Sequence, residues 1–284
     1  MNILITYSDS KYANARAFCA KMAKKYGKFD KVVEYSPKDL DEDFVKKNKR
    51  ILATKRGGGL WLWKPYVINK ALSEICKDGD ILYYSDAGTF FFRSCLPLFK
   101  QMKDDILCFE LPYVEEEFTK AETFELMSLS GDKYSKTTQI MGNMAFRCSL
   151  KTKNFVKEWL DFCCDFNVIS PDFDPAKQVR TFFSHREDQS VFSLLCKKYG
   201  IQPVPEPTLW GWAGNPHFHE LSYRNIKRPS YVCIVLHRCR EVTFRNVLKN
   251  VWYMLKLFVE NRIGYTKHVD LVNWKTTEND KYKD

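Results

Sequence analysis

The chain has 284 residues, 45% hydrophobic and 15% aromatic, with 45 Lys+Arg against 35 Asp+Glu and a net charge of +10. That length buries a large core as one domain or two small ones, and the apolar content is ordinary for a globular protein. The positive balance suits a polyanionic partner, a nucleoside diphosphate or an anionic membrane surface; its scatter along the chain, with no basic stripe, excludes nucleic acid from the expected partners.

Asn2 to Tyr7 is a short β-branched apolar run, a buried first strand. Ser8, Asp9 and Ser10 cap a helix expected over residues 12–26. A strand is expected over 29–35 and an exposed, charged helix over 39–49. The stretch from Arg56 to Phe92 then organises the chain. It opens on Arg56 and the glycines 57–59, passes Trp61, Trp63, Lys64 and Pro65, and continues as an amphipathic helix over 65–76. After a turn at Asp78 and Gly79 comes an apolar strand, Ile81 to Tyr84, that stops at Ser85, Asp86, Ala87 and Gly88. A buried strand ending in an aspartate and a glycine is where open α/β sheets place ligand chemistry. An aspartate there also serves as a cap or turn former.

Further on, a helix is expected over 96–102, a strand over 106–111, a strongly acidic run over 114–118 and a helix from 119 to 127. Residues 139–147 read as a turn and a core strand, and 154–166 as a helix with Phe155, Trp159, Phe162 and Cys163 on one side. Residues 167–185 form a long, aspartate-rich loop, followed by a helix over 190–199 that Arg186, Glu187, Asp188 and Gln189 introduce. A proline-rich strand over 201–207, an aromatic loop with Trp210 and Trp212, and a last buried strand over 231–236 lead to His237. Apolar and basic residues share helical spacing over 242–262, and the end from about 276 is polar. Ten cysteines include no Cys-x-x-Cys pair, so free thiols in a reducing compartment are expected. The N-terminus lacks the order of a signal peptide, and no window reaches the roughly 18 apolar residues of a membrane span. The expectation is a cytoplasmic protein or one peripheral on the cytosolic face of a membrane.

The pattern Gly-x-Trp-x-Trp-Lys-Pro-Tyr from Gly59, followed by Gly-Asp-Ile-Leu-x-Tyr-x-Asp-Ala-Gly from Gly79, resembles a group of nucleotide-sugar glycosyltransferases with the GT-A fold, found in polysaccharide and surface-glycan gene sets. The resemblance runs from Met1 to about Arg240. It implies an α/β fold with a mixed, mainly parallel Rossmann-like sheet flanked by helices, over residues 1–240, with a basic amphipathic helical extension and polar tail over 241–284. It implies a hexosyl- or related transferase moving a sugar from a nucleoside-diphosphate donor to a glycan or lipid-linked acceptor. In such enzymes an Asp-x-Asp segment delivers acids to a divalent cation, manganese or magnesium, bridging the diphosphate. Here Asp86 matches the first acid and Gly88 stands in place of the second; His237 resembles a further metal ligand.

The same resemblance assigns the remaining candidates. Tyr7, Arg56, Gly58, Lys64, Ser85, Asp86, Gly88, Gln139, Gly142 and Asn143 fall to the donor, Trp210 and Trp212 to the acceptor, and Asp188 with Glu187 to catalysis. Each has a plainer reading beside it: glycine turns with solvated cations, core tryptophans, or acids that belong in a helix's first turn. The missing second acid at Gly88 motivates a different function, a catalytically silent nucleotide-sugar-binding or scaffold protein of the same fold.

Overall fold

The computed structural model describes residues 1–208, 231–237 and 239–262. Its centre is β1 (Asn2–Tyr7), whose strand bounds match the β-branched run in the sequence. From β1 the chain passes through α1 (Ala13–Met22) to β2 (Lys31–Tyr35), which returns parallel to β1 on one side. After α2 (Trp63–Glu74), β3 (Ile81–Tyr84) lies parallel to β1 on the other side. Strand β4 (Thr89–Phe91) leaves this sheet, and β5 (Ile106–Leu107) returns to its far edge.

The apolar run expected as one strand over 106–111 is divided at Cys108: β6 (Phe109–Val114) pairs in a second, three-stranded sheet with β7 (Thr138–Ile140). Strand β8 (Met144–Arg147) then enters the main sheet antiparallel to β3 and β5. The order is β2-β1-β3-β8-β5, and β8 alone runs against the others. This is the mixed, mainly parallel α/β sheet expected from the sequence.

The pleat divides the core in two. Ile3, Ile5, Leu82, Tyr84, Met144 and Phe146 face α2, α3 (Leu150–Cys163) and α4 (Glu187–Lys198). Leu4, Tyr83 and Ala145, one residue out of phase, face Cys19 of α1 and the ring cluster of Phe29, Phe91 and Phe99. Helix α3 begins at Ser149, whose hydroxyl accepts from Thr152 N while Thr152 Oγ1 accepts from Ser149 N.

Strand β9 (Val204–Pro205) completes the second sheet beside β6, and β10 (Ile234–Leu236) pairs antiparallel with β4. Helix α5 (Phe244–Arg262) follows. All ten cysteines are free, as expected. Among the described residues no helix is long and apolar enough to cross a membrane.

Within the acidic run Glu115 is fully buried and receives the Thr119, Ser193 and Lys197 side chains, which fixes α4 against β6. Lys120 is also buried, with its ammonium donating to the carbonyls of Ser170 (2.7 Å) and Asp172 (2.8 Å). With Thr123 Oγ1 donating to Val168 O, these bonds tie down the start of the expected long loop, where residues Phe166–Ile169 form a helical turn.

Candidate active site

The sheet topology gathers the site. Strands β1 and β3 are parallel neighbours, with Ile5 opposite Tyr84, so Tyr7 and Asp86 emerge at the same edge. Strand β8 is antiparallel and begins there, with Met144 opposite Tyr84, so Gly142 and Asn143 arrive at that edge too. Asp86 N donates to Asn143 Oδ1 (3.3 Å), which joins the two segments. Ligand chemistry at the carboxyl ends of sheet strands is the general arrangement of open α/β folds.

The glycine run supplies the next wall. Gly57, Gly58, Gly59, Leu60 and Trp61 all have φ between 53° and 100°, a left-handed turn in which Leu60 N donates to Arg56 O at 2.8 Å. Glycine adopts this region readily; Leu60 and Trp61 do so at a cost of about 1–2 kcal/mol each. The turn delivers Trp63 and Lys64 into the first turn of α2. Trp63 Nε1 donates to Gly57 O (2.9 Å), and its ring stacks on Tyr7 at a centroid distance of 4.0 Å.

Lys64 is buried, and its ammonium lies 3.1 Å from Asp188 Oδ2 and 3.6 Å from Asp86 Oδ1. Tyr84 OH donates to the same Asp86 oxygen at 2.8 Å. Asp188 comes from the first turn of α4 and is buried, and its backbone carbonyl accepts from Trp159 Nε1 of α3 at 2.9 Å. Beside it Glu187 sits at φ 39° and pairs with Arg56. A non-glycine residue held in that region at a helix start is a strained position of the kind that functional sites retain.

The electrostatics follow from burial. Burial alone would lower the Lys64 ammonium, but Asp188 and Asp86 overcome it and hold it above its ordinary value. For Asp188 the balance goes the other way: burial, assisted by Asp86, wins over Lys64 and pushes the carboxyl up to about 6. Glu187 is pushed up to about 7, burial outweighing Arg56. Asp188 Oδ2 is buried and is held by the Lys64 ammonium at 3.1 Å.

The structure thus brings together Tyr7, Arg56, Lys64, Asp86, Gly142, Asn143, Glu187 and Asp188. A Cβ on Gly142 would lie 3.1 Å from the Lys64 ammonium and 3.4 Å from Gln189 Oε1, so the glycine leaves them their space. Gln139 is buried and joins the site indirectly, its Oε1 accepting from Gln189 Nε2 at 3.0 Å. Ser85 turns inward: its hydroxyl is 2.5 Å from Thr89 Oγ1. Gly58 has open space beside its Cα, with Trp63 Nε1 the only heavy atom near a built Cβ, at 3.9 Å. Trp210 and Trp212 lie outside the described residues. Tyr84 and Trp159 read in the sequence only as a strand end and a helix-face residue, not as site residues; no local pattern reveals the contacts with Asp86 and Asp188.

Gly88 O accepts from His237 N at 2.8 Å, so His237 stands next to the Asp86 segment. Its Nδ1 accepts from Cys239 N (3.1 Å), Nε2 is buried without a hydrogen-bond partner among the described residues, and burial lowers the ring to about 4. Among the described residues no three His, Cys, Asp or Glu side chains are grouped to hold a metal. A divalent cation fits this donor set poorly, because Tyr84 and Lys64 already attend Asp86 Oδ1. Elsewhere, a groove of about 570 Å³ between α1 and the start of α5 is lined by Asn14, Phe18 and Phe244 among others, none of them a residue of this site.

No protein-family model matches the chain, and no curated protein matches it in sequence. Among solved structures it is similar to mouse xyloside xylosyltransferase 1, at 8% identity and a TM-score of 0.49, over 86% of this chain and 100% of that one. It is similar to the galactosyltransferase LgtC, at 13% identity and a TM-score of 0.44, over 97% of this chain and 100% of that one. It is also similar to the glycosyltransferase GlyE of Streptococcus pneumoniae, at 11% identity and a TM-score of 0.47, over 92% of this chain and 64% of that one.

Proposed function

We propose that this protein is a glycosyltransferase that moves a sugar from a nucleoside-diphosphate donor to a glycan or lipid-linked acceptor, of the type that serves surface-polysaccharide synthesis. Residues 1–240 form the transferase unit and 241–284 its extension. The observation that carries the reading is Asp188: a buried carboxylate pushed up to about 6, with its Oδ2 3.1 Å from the Lys64 ammonium that also attends Asp86, at the carboxyl edge of the sheet. In transfer, the bond from the anomeric carbon to the diphosphate breaks with its electron pair going to the diphosphate. The acceptor oxygen bonds that carbon and gives up its proton. Asp188 serves as the base that takes the proton, or as the carboxylate that stabilises positive charge at the anomeric carbon.

Tyr7 and Trp63 offer stacked rings beside the donor, and Arg56 with Glu187 holds the wall of the site. A panel of nucleotide sugars in a thermal-shift assay tests the reading. A ligand of the native state at a hundredfold its Kd stabilises by about 2.7 kcal/mol, so a true donor raises Tm by several degrees. Failure of every nucleotide sugar and nucleoside diphosphate to shift Tm would sink it. A shift without any hydrolysis or transfer of the donor would support the silent, nucleotide-sugar-binding protein instead.

The extension supports a peripheral membrane position. Phe244, Leu248, Trp252, Leu255 and Val259 recur at helical spacing on α5 and are all exposed, while Arg245, Lys249 and Lys256 share the helix. Basic and apolar residues together are what an interfacial helix presents to an anionic bilayer. Full-length protein should co-sediment with phosphatidylglycerol-containing vesicles and lose about tenfold or more in partitioning on Trp252→Glu. Equal recovery in the supernatant with and without vesicles would show that the helix serves something other than an anionic bilayer.

A further inference from the structure

We propose that the charge of a nucleoside diphosphate bound at this site is met by protein donors, the Lys64 ammonium and the His237 ring N–H, and not by a divalent cation held between Asp86 and His237. The inference rests on the donor-site reading above and adds what neutralises the diphosphate.

The first ground is the ring polarity of His237. Cys239 N–H points at His237 Nδ1 over 3.1 Å. In the neutral ring one nitrogen accepts and the other carries the proton, so the proton is on Nε2. A histidine that ligates a metal shows the opposite arrangement: its free nitrogen binds the ion and the other donates to a carbonyl or carboxylate. Here Nε2 is a donor, buried and with no hydrogen-bond partner among the described residues. A buried N–H of this kind needs an acceptor. The backbone bond from His237 N to Gly88 O puts the residue directly beside the segment that carries Asp86.

The second ground is the occupation of Asp86. Its Oδ1 receives Tyr84 OH at 2.8 Å and lies 3.6 Å from the Lys64 ammonium. A dication on this carboxylate would be brought close to a buried ammonium, and like charges repel strongly in such surroundings. Gly88, with no side chain, supplies no second carboxylate to offset that repulsion.

The ammonium is placed for the role itself. It has three N–H bonds, and Asp86 and Asp188 engage two directions. Gly142 keeps its flank clear, since a Cβ there would come within 3.1 Å of Nζ. A diphosphate entering over half-exposed Asp86 meets a cation that is already oriented by Asp86 and by buried Asp188. An oriented cation is worth more to an accumulating negative charge than one that must reorganise.

Isothermal titration of the full-length protein with UDP, GDP, ADP and CDP, in EDTA and again in excess manganese, tests this. We expect one nucleoside diphosphate to bind with a Kd that changes less than about threefold between the two conditions. In EDTA, Lys64→Met and His237→Phe should each weaken it by about 10- to 100-fold, the scale of a charge-assisted hydrogen bond. Manganese electron paramagnetic resonance should show no bound ion beyond the manganese–diphosphate complex that forms without protein. Binding that requires manganese, with a bound-manganese signal lost in Asp86→Ala, would overturn the inference and leave the donor site standing. Absence of diphosphate binding in both conditions would remove the donor site and the inference with it. The comparison of EDTA with manganese uses the unaltered protein and does not depend on any variant folding.

Discussion

Replacing Asp188 with Asn lowers turnover by at least about a hundredfold, the scale on which acid–base help is lost, and leaves donor binding nearly intact. Asparagine keeps the shape of the side chain and the carbonyl that Trp159 Nε1 holds, since that bond is to the backbone. It also leaves Lys64 its contact with Asp86. What disappears is the buried carboxylate that faces the Lys64 ammonium at 3.1 Å. The pH dependence gives an independent readout. Burial raises this carboxyl to about 6, with Asp86 adding to the rise and Lys64 opposing it. The base form is therefore lost as pH falls through about 6, and kcat/KM should decline on that acid limb. The Asn variant should lack the limb.

Stability carries the opposite sign. A carboxyl whose folded pKa lies above its unfolded value holds a proton in the native state that the unfolded chain releases between pH 4 and 6. Rising pH across that window therefore costs stability, on the order of 2–3 kcal/mol for a shift of about two units. Urea unfolding at pH 4.5 and 7 should show a smaller difference in the Asn variant. Near-normal turnover with an unchanged acid limb would reduce Asp188 to a helix-start residue.

The parts of this architecture that were legible in the sequence are those with a local signal. Asn2–Tyr7 and Ile81–Tyr84 were bounded correctly, because each is an apolar run stopped by polar turn residues. The edge position of Asp86 followed from the second of these. Lys64 was legible only as a cation near a glycine run. Its burial between Asp86 and Asp188 depends on bringing three elements together, which no short pattern encodes. The same holds for Glu115: the sequence shows it only as one of an acidic run with Glu116 and Glu117, while its partners Ser193 and Lys197 lie on α4. The break at Cys108 left no trace either, since both flanking strands are apolar and only their pairing partners differ. The glycine run was legible as a turn at residues 57–59, but nothing in it marked that Leu60 and Trp61 would share the positive φ of those glycines.

That left-handed turn is where a single methyl group should do the most damage. Gly59→Ala places a Cβ 2.8 Å from Leu52 Cα and 3.3 Å from Leu52 O, on backbone that cannot swing aside, at φ 100°. The conformational cost and the overpacking cost add to about 3 kcal/mol or more. Gly58→Ala is the matched control. Its φ is 58°, close to the ordinary left-handed well, and the nearest heavy atom to a new Cβ is Trp63 Nε1 at 3.9 Å, so only about 1 kcal/mol is expected. The two substitutions are chemically identical and adjacent, so they separate crowding from loss of glycine as such. Because the turn sets Trp63 against Tyr7 and Lys64 against Asp86 and Asp188, the surviving folded Gly59→Ala protein should also bind donor more weakly. Denaturant midpoints of the pair decide the matter. Equal, small losses at both positions would mean that the close approach of Gly59 to Leu52 does not hold the turn in place.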